Sequence, residues 1–152
     1  MREILFRGKS KHGEWYFGFY TEGYYLDGTP VSWIDVVDRK KKETDSPTVI
    51  PETVGQFTGL TDKNGKKIFE GDVVKAVIAR DLGYGKQNRE ETGIIGYDKI
   101  GMIGLITEYD GTIPVWSDFF QELTLSGCID DFWFEIIGNI HDNPELLGGD
   151  RE

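Results

Sequence analysis

The chain has 152 residues, 17 basic against 27 acidic side chains, a formal net charge of -10 at pH 7, and 13% aromatic residues. That length and that bulk of apolar side chains fit one domain with a real core and exclude a disordered acidic chain. A single Cys excludes an internal disulfide framework and any multi-Cys metal site, and no apolar run approaches the roughly 20 residues that span a bilayer.

The charged start, Arg2-Glu3 followed by the short apolar stretch Ile4-Leu5-Phe6, does not have the form of a secretory leader, so a soluble cytoplasmic protein is expected. The charge is uneven. Residues 1–75 hold 12 basic and 12 acidic side chains, and residues 76–152 hold 5 and 15, so the second half carries the whole excess. The one basic cluster, Arg39 to Lys42, sits in a polar stretch that reads as an exposed loop.

Taken in chain order, the segments read as short strands. Ile4–Phe6 and Glu14–Tyr20 form a hairpin, and Trp15, Phe17 and Phe19 alternate with Tyr16, Gly18 and Tyr20 at the strand period. Aromatics on both faces point to a strand that is covered on both sides or lies at an interface. Tyr24–Leu26 is a candidate short strand before the turn Asp27-Gly28, and Val31–Val37 is another strand. Val54–Thr58 and Lys66–Phe69 pair across Asp62-Lys63-Asn64-Gly65, where Asn-Gly reaches positive φ at little cost. Val73–Ile78 follows Gly71-Asp72, an opening shared with strands of SH3-like barrels. Residues 80–91 are polar and read as a loop. Gly93–Tyr97, Met102–Ile106 and Ile113–Trp116 read as strands, the last at an edge because Pro114 cannot donate to a ladder. Asp118–Leu125 suits a helix with Asp118 as its N-cap, Phe132–Ile140 a buried strand, and Asp142–Leu147 a capped helical turn before the tail 148–152. The expected fold is mainly β with a minor helical part. It has an N-terminal β-hairpin lobe (1–60) and a C-terminal SH3-like or barrel-like lobe (61–147).

No catalytic constellation emerges. His12 falls in a Lys/Gly loop and His141 follows a strand, which suits an exposed and a turn-capping role; Cys128 has no nucleophile setting. Asp130 and Asp131 are adjacent, so on a strand they point to opposite faces. The segment from Asp62 lacks the acidic twelfth ligand of a calcium loop, since Val73 stands there. Gly83-Tyr84-Gly85 has Asn88 where a dinucleotide fingerprint needs Gly. No enzyme activity, cofactor or metal is expected. Aromatic stacking of nucleic acid bases is disfavoured by the charge of -10.

Three blocks carry a family likeness: Arg2 to Lys9 with Gly13 to Gly18; Thr53 to Val74; and Phe134 to Ile140 with Asn143 to Leu147. In these blocks the sequence resembles the YopX protein family of bacteriophages and prophages. The resemblance implies one compact, mostly β domain over 1–147, with a variable segment over 79–131 where the likeness is loose, of phage origin and without established activity, and it supplies no catalytic residues. Gly55, Gly59, Gly65, Gly71 and Gly138 stand where turns or close backbone approaches are expected. Asp62, Asn64 and Asp72 are turn-forming types, and Pro144 lies in the last block. Phe57, Leu60, Ile68, Phe69, Val73, Ile136 and Ile140 are expected in the core.

The functional expectation is a non-enzymatic accessory protein that contacts a protein partner or forms a homo-oligomer, with no membrane role. One alternative is an acidic antagonist of a host DNA-binding protein or nuclease, using a negative face of Asp98, Glu108, Asp110, Asp118, Glu122, Asp130 and Asp131. The other, resting on fold analogy, is a small-barrel nucleic-acid-binding protein.

Overall fold

A computed structural model describes residues 3–38, 43–81, 85–109, 114–125 and 131–148. The chain divides into two units, Met1–Gly59 and Leu60–Glu152. The first holds strands β1 (Phe6–Lys9), β2 (Trp15–Tyr24), β3 (Pro30–Asp38) and β4 (Glu43–Asp45), a 3-10 turn at Pro51–Thr53, and most of β5 (Gly55–Thr61). The second holds β6 (Lys67–Phe69), β7 (Asp72–Asp81), β8 (Lys86–Tyr97), β9 (Ile103–Tyr109), β10 (Pro114–Trp116) and β11 (Asp131–Asn139), with helices α1 (Phe119–Leu125) and α2 (Glu145–Gly148). The fold is mainly β with a minor helical part.

Four hairpin turns share one construction. At Ser10–Glu14, Tyr25–Thr29, Asp62–Lys66 and Asp98–Met102, the first residue's N–H donates to the carbonyl of the fifth, and the fourth residue's N–H donates to the carbonyl of the first. The fourth residue is always Gly with positive φ: Gly13 at 89°, Gly28 at 86°, Gly65 at 80° and Gly101 at 80°. This is a three-residue loop closed by a left-handed Gly bulge, a geometry that a Cβ would strain. In three of the four, the first side chain (Ser10, Asp62 or Asp98) also accepts the N–H groups of the third and fifth residues.

In the first unit the sheet runs in the order β4-β3-β2-β1-β5, and β5 continues across the division to pair with β6. β2 pairs with β1 up to Gly18 and with β3 from Phe19 onward. At that change of partner a Cβ on Gly18 would lie 2.2 Å from the Asp35 carbonyl oxygen, so only glycine permits the approach. Ile34 and Val49 are buried on one side of this sheet, with Gly8 pressed against Val49.

The second unit contains a five-stranded sheet of order β10-β9-β8-β7-β11, in which neighbouring strands pair antiparallel. Val74, Ala76 and Ile78 of β7, Ile95, Leu105 and Phe134 bury their side chains with Ile68 and Phe119, and Leu60, Phe120, Leu123 and Ile136 pack against them. The rings of Phe119 and Phe120 lie 5.9 and 5.7 Å from that of Phe134. Of the expected core residues, Phe57, Ile68, Phe69 and Val73 are buried, while Leu60, Ile136 and Ile140 are half-buried.

Two expectations need correction. Of residues 80–91, Arg80, Asp81 and 86–91 lie in strands and not in a loop: β7 and β8 stay paired out to Asp81 and Lys86, with Arg80 opposite Gln87. The polar side chains that suggested a loop are held by ion pairs, Lys75 with Glu90 at 3.2 Å and Arg89 with Glu91 at 3.0 Å. Likewise Tyr24 ends β2, and Tyr25 and Leu26 belong to the turn.

Candidate interaction surface

Strand alternation gives β2 two different faces. Tyr16, Gly18 and Tyr20 turn inward with Ile34, and the Tyr20 ring lies 5.9 Å from Phe6. Trp15, Phe17 and Phe19 turn to the other side, where Phe17 is 46% and Phe19 57% exposed. Thr21 and Gly23 continue that face, and the Trp33 ring of β3 lies over Gly23, where an added Cβ would sit 3.2 Å from it. The Trp33 indole N–H donates to Asp35, which also accepts from Ser46 and Thr21, so this ring is fixed in place. At the β1 end, the Arg7 guanidinium stacks 4.9 Å over Trp15, and Lys9 lies 5.9 Å from the same ring. At the hairpin tip, Tyr24, which alternation puts on the Tyr20 face, is 78% exposed, and Tyr25 and Leu26 are exposed too. The result is an exposed aromatic stripe on a rigid sheet, flanked by cations on β1 and by Asp35 on β3.

The described members of the acidic set stand in different settings. Asp118 and Glu122 join a cluster on the α1 side of the sheet: Arg89 binds Asp118 at 2.6 Å, Glu91 at 3.0 Å and Glu122, and Arg80 also binds Glu122. The Asp118 carboxyl therefore titrates below the ordinary carboxylate value, through its hydrogen bond from Arg89 and that cation's charge. Asp118 stands at the N-cap position, its carbonyl accepting the Glu122 N–H at 3.0 Å, while the Ser117 hydroxyl accepts the Phe119 N–H. Burial opposes the charge on Arg89, but the Asp118 and Glu91 carboxylates outweigh it and hold its pKa above the ordinary value. Asp98 is engaged by its own turn. Glu108 lies on β9 and Asp131 on β11, with β8 and β7 between them. Asp110 and Asp130 lie outside the described residues, as do Arg39–Lys42, Cys128 and the tail from Gly149. Sequence reading missed the two-arginine cluster; its available signal was the same-face spacing of Arg89 and Glu91 within a run taken for a loop.

The signature residues have structural tasks. The Asp62 carboxylate is buried at 7% exposure; it accepts the N–H groups of Asn64 and Lys66 at 2.9 Å and reaches across to Ile136 N–H at 3.4 Å. Burial raises its pKa, but the three backbone donors and the Lys66 charge outweigh that, so the net direction is downward. Asp72, also buried, accepts the Phe69 N–H at 2.8 Å. Gly55 is buried in β5, and Gly59 and Gly71 adopt φ of 86° and 91°. A Cβ at Gly138 would meet the Asn143 side-chain oxygen at 2.5 Å, just before the turn at Pro144. His12 is exposed, and His141 is half-buried with its N–H on the Asn139 side chain. Among the described residues, no three His, Cys, Asp or Glu are placed to hold a metal ion, and no helix is long and apolar enough to cross a membrane.

The sequence model of the YopX protein family matches residues 5–148. The chain belongs to the YopX protein family. The signature of this YopX chain thus falls on turns and buried carboxylates. Among solved structures, protein EF1440 from Enterococcus faecalis is 23% identical, with 97% of this chain and 99% of that chain covered and a TM-score of 0.40. No curated protein matches the chain significantly.

Proposed function

We propose that this chain is a non-enzymatic phage or prophage accessory protein that works in the host cytoplasm by protein contact, either with itself or with a host protein. The observation that carries the reading is the aromatic stripe of β2. Phe17 and Phe19 stand side by side in solvent on a strand whose other face is inward. Single exposed apolar residues are ordinary, but adjoining aromatic rings on a rigid face match the anchors that dominate protein interfaces. Trp33, held by Asp35, makes the face pre-organised, so little side-chain entropy is lost on contact.

The test is sedimentation across a wide concentration range, together with capture of partners from host lysate, for wild type and for the double variant Phe17→Ser/Phe19→Ser. Association or capture by wild type that the double variant loses is expected. A wild type that stays monomeric and recovers no partner defeats the reading.

A further inference from the structure

The turn Asp62–Lys66 is the only one of the four related turns with Asn immediately before its Gly. Asn-Gly is the sequence most prone to deamidation, because glycine puts no side chain in the way of ring closure. The Gly65 nitrogen attacks Asn64 Cγ and loses its proton, the Cγ–Nδ2 bond breaks, and ammonia leaves. Water then opens the cyclic imide at either carbonyl to give aspartate or isoaspartate.

Asn64 and Gly65 are exposed, so water reaches them. The turn nevertheless opposes the reaction. The attacking Gly65 N–H is donated to the Asp62 carbonyl at 3.0 Å, and the flanking Asn64 and Lys66 N–H groups are pinned to the Asp62 carboxylate. Asp62 is in turn tied to Ile136, and Lys63 N–H donates to the Phe134 carbonyl at 2.8 Å. Ring closure needs a backbone rotation that brings the Gly65 nitrogen onto Cγ, and all of these bonds resist it.

We propose that Asn64 is a deamidation site that the fold holds latent, and that its conversion releases the cover over the edge of β11. Isoaspartate adds a methylene to the backbone between residues 64 and 65. The five-residue turn then no longer fits its two closing hydrogen bonds, and the Lys63–Phe134 and Asp62–Ile136 contacts that occupy the outer edge of β11 are lost.

The full chain is aged in mildly alkaline buffer, natively and unfolded in urea, and Asn64 conversion is followed by peptide mapping and mass spectrometry. Conversion at least about ten-fold slower in the native chain is expected, since it proceeds only through local opening; equal rates overturn the proposal. Asp62→Ala, checked for folding by circular dichroism, is expected to convert faster than native wild type. A folded variant with the wild-type rate overturns the role of the carboxylate, and if the variant is unfolded the wild-type comparison still decides. In isolated isoaspartate-64 protein, faster amide exchange at Lys63 and Ile136 is expected, and unchanged exchange refutes the uncovering of the edge.

Discussion

Asp62 and Asp98 open turns of nearly the same sequence, Asp-Lys-x-Gly, and bond the same two backbone N–H groups. They differ in what lies beyond: Asp62 is buried and bonds a third N–H on β11, whereas Asp98 is half-exposed and stays within its own turn. Asp62→Ala is therefore expected to cost about 2–4 kcal/mol, because it strands backbone donors under cover, and Asp98→Ala about 0.5–1.5 kcal/mol. Urea unfolding of both variants measures the difference. The depressed pKa of Asp62 adds a pH signature. Its contribution is complete above the ordinary value of 3.8 and fades as pH falls through the lower folded value. Wild type is expected to lose stability below that pH more steeply than Asp62→Ala does, as urea titrations at a series of acidic pH values would show. At Gly18, replacement by Ala sets a Cβ against the backbone oxygen of Asp35, which cannot turn aside as a side chain does. A loss of about 1–3 kcal/mol is expected from the forced separation of β2 and β3.

At the scale of elements, α1 shows how a seven-residue helix is held. It is too short to be stable alone, so tertiary contacts must fix it. Phe119 is fully buried against Phe134, and Arg89 and Arg80 grip Glu122 from the sheet. Phe119→Ala is expected to cost about 3–5 kcal/mol. Arg89→Ala leaves Glu91 and Asp118 without their cation, and an expected loss of about 1–3 kcal/mol should shrink as salt is added. Thermal unfolding at low and high ionic strength separates the two variants. The same cluster explains why residues 80–91 misled: charged residues look like loop when their partners are far away in sequence. Glu122 lies 33 residues from Arg89, and no local pattern joins them.

For the whole molecule, the excess negative charge of the second half does not translate into one acidic face among the described residues. Asp118 and Glu122 are neutralised, Asp98 serves its turn, and Glu108 and Asp131 stand on strands separated by two others. The distinctive surface lies instead in the electrically balanced half. Phe17→Ser/Phe19→Ser is expected to leave the melting temperature nearly unchanged while abolishing association, since exposed side chains contribute little to folding. A large fall in melting temperature would mark the stripe as core.

Local chemistry was enough to determine the strand-rich class, three of the four Gly-closed turns and four of the buried core residues (Phe57, Ile68, Phe69 and Val73), because strand period and positive-φ glycine are written in neighbouring residues. The family signature was legible for the same reason: Asp62, Gly65 and Gly71 act first on their own turns. Only the tertiary structure decided which face of β2 is exposed, since aromatics occupy both and burial depends on what β3 and Val49 bring to one side. It alone decided that Asp62 reaches Ile136, 74 residues away, and that Glu91, Asp118 and Glu122 are spent on arginines and Asp98 on its turn. Net charge is a sum over sequence, whereas a charged face requires the carboxylates to be both gathered and unpaired.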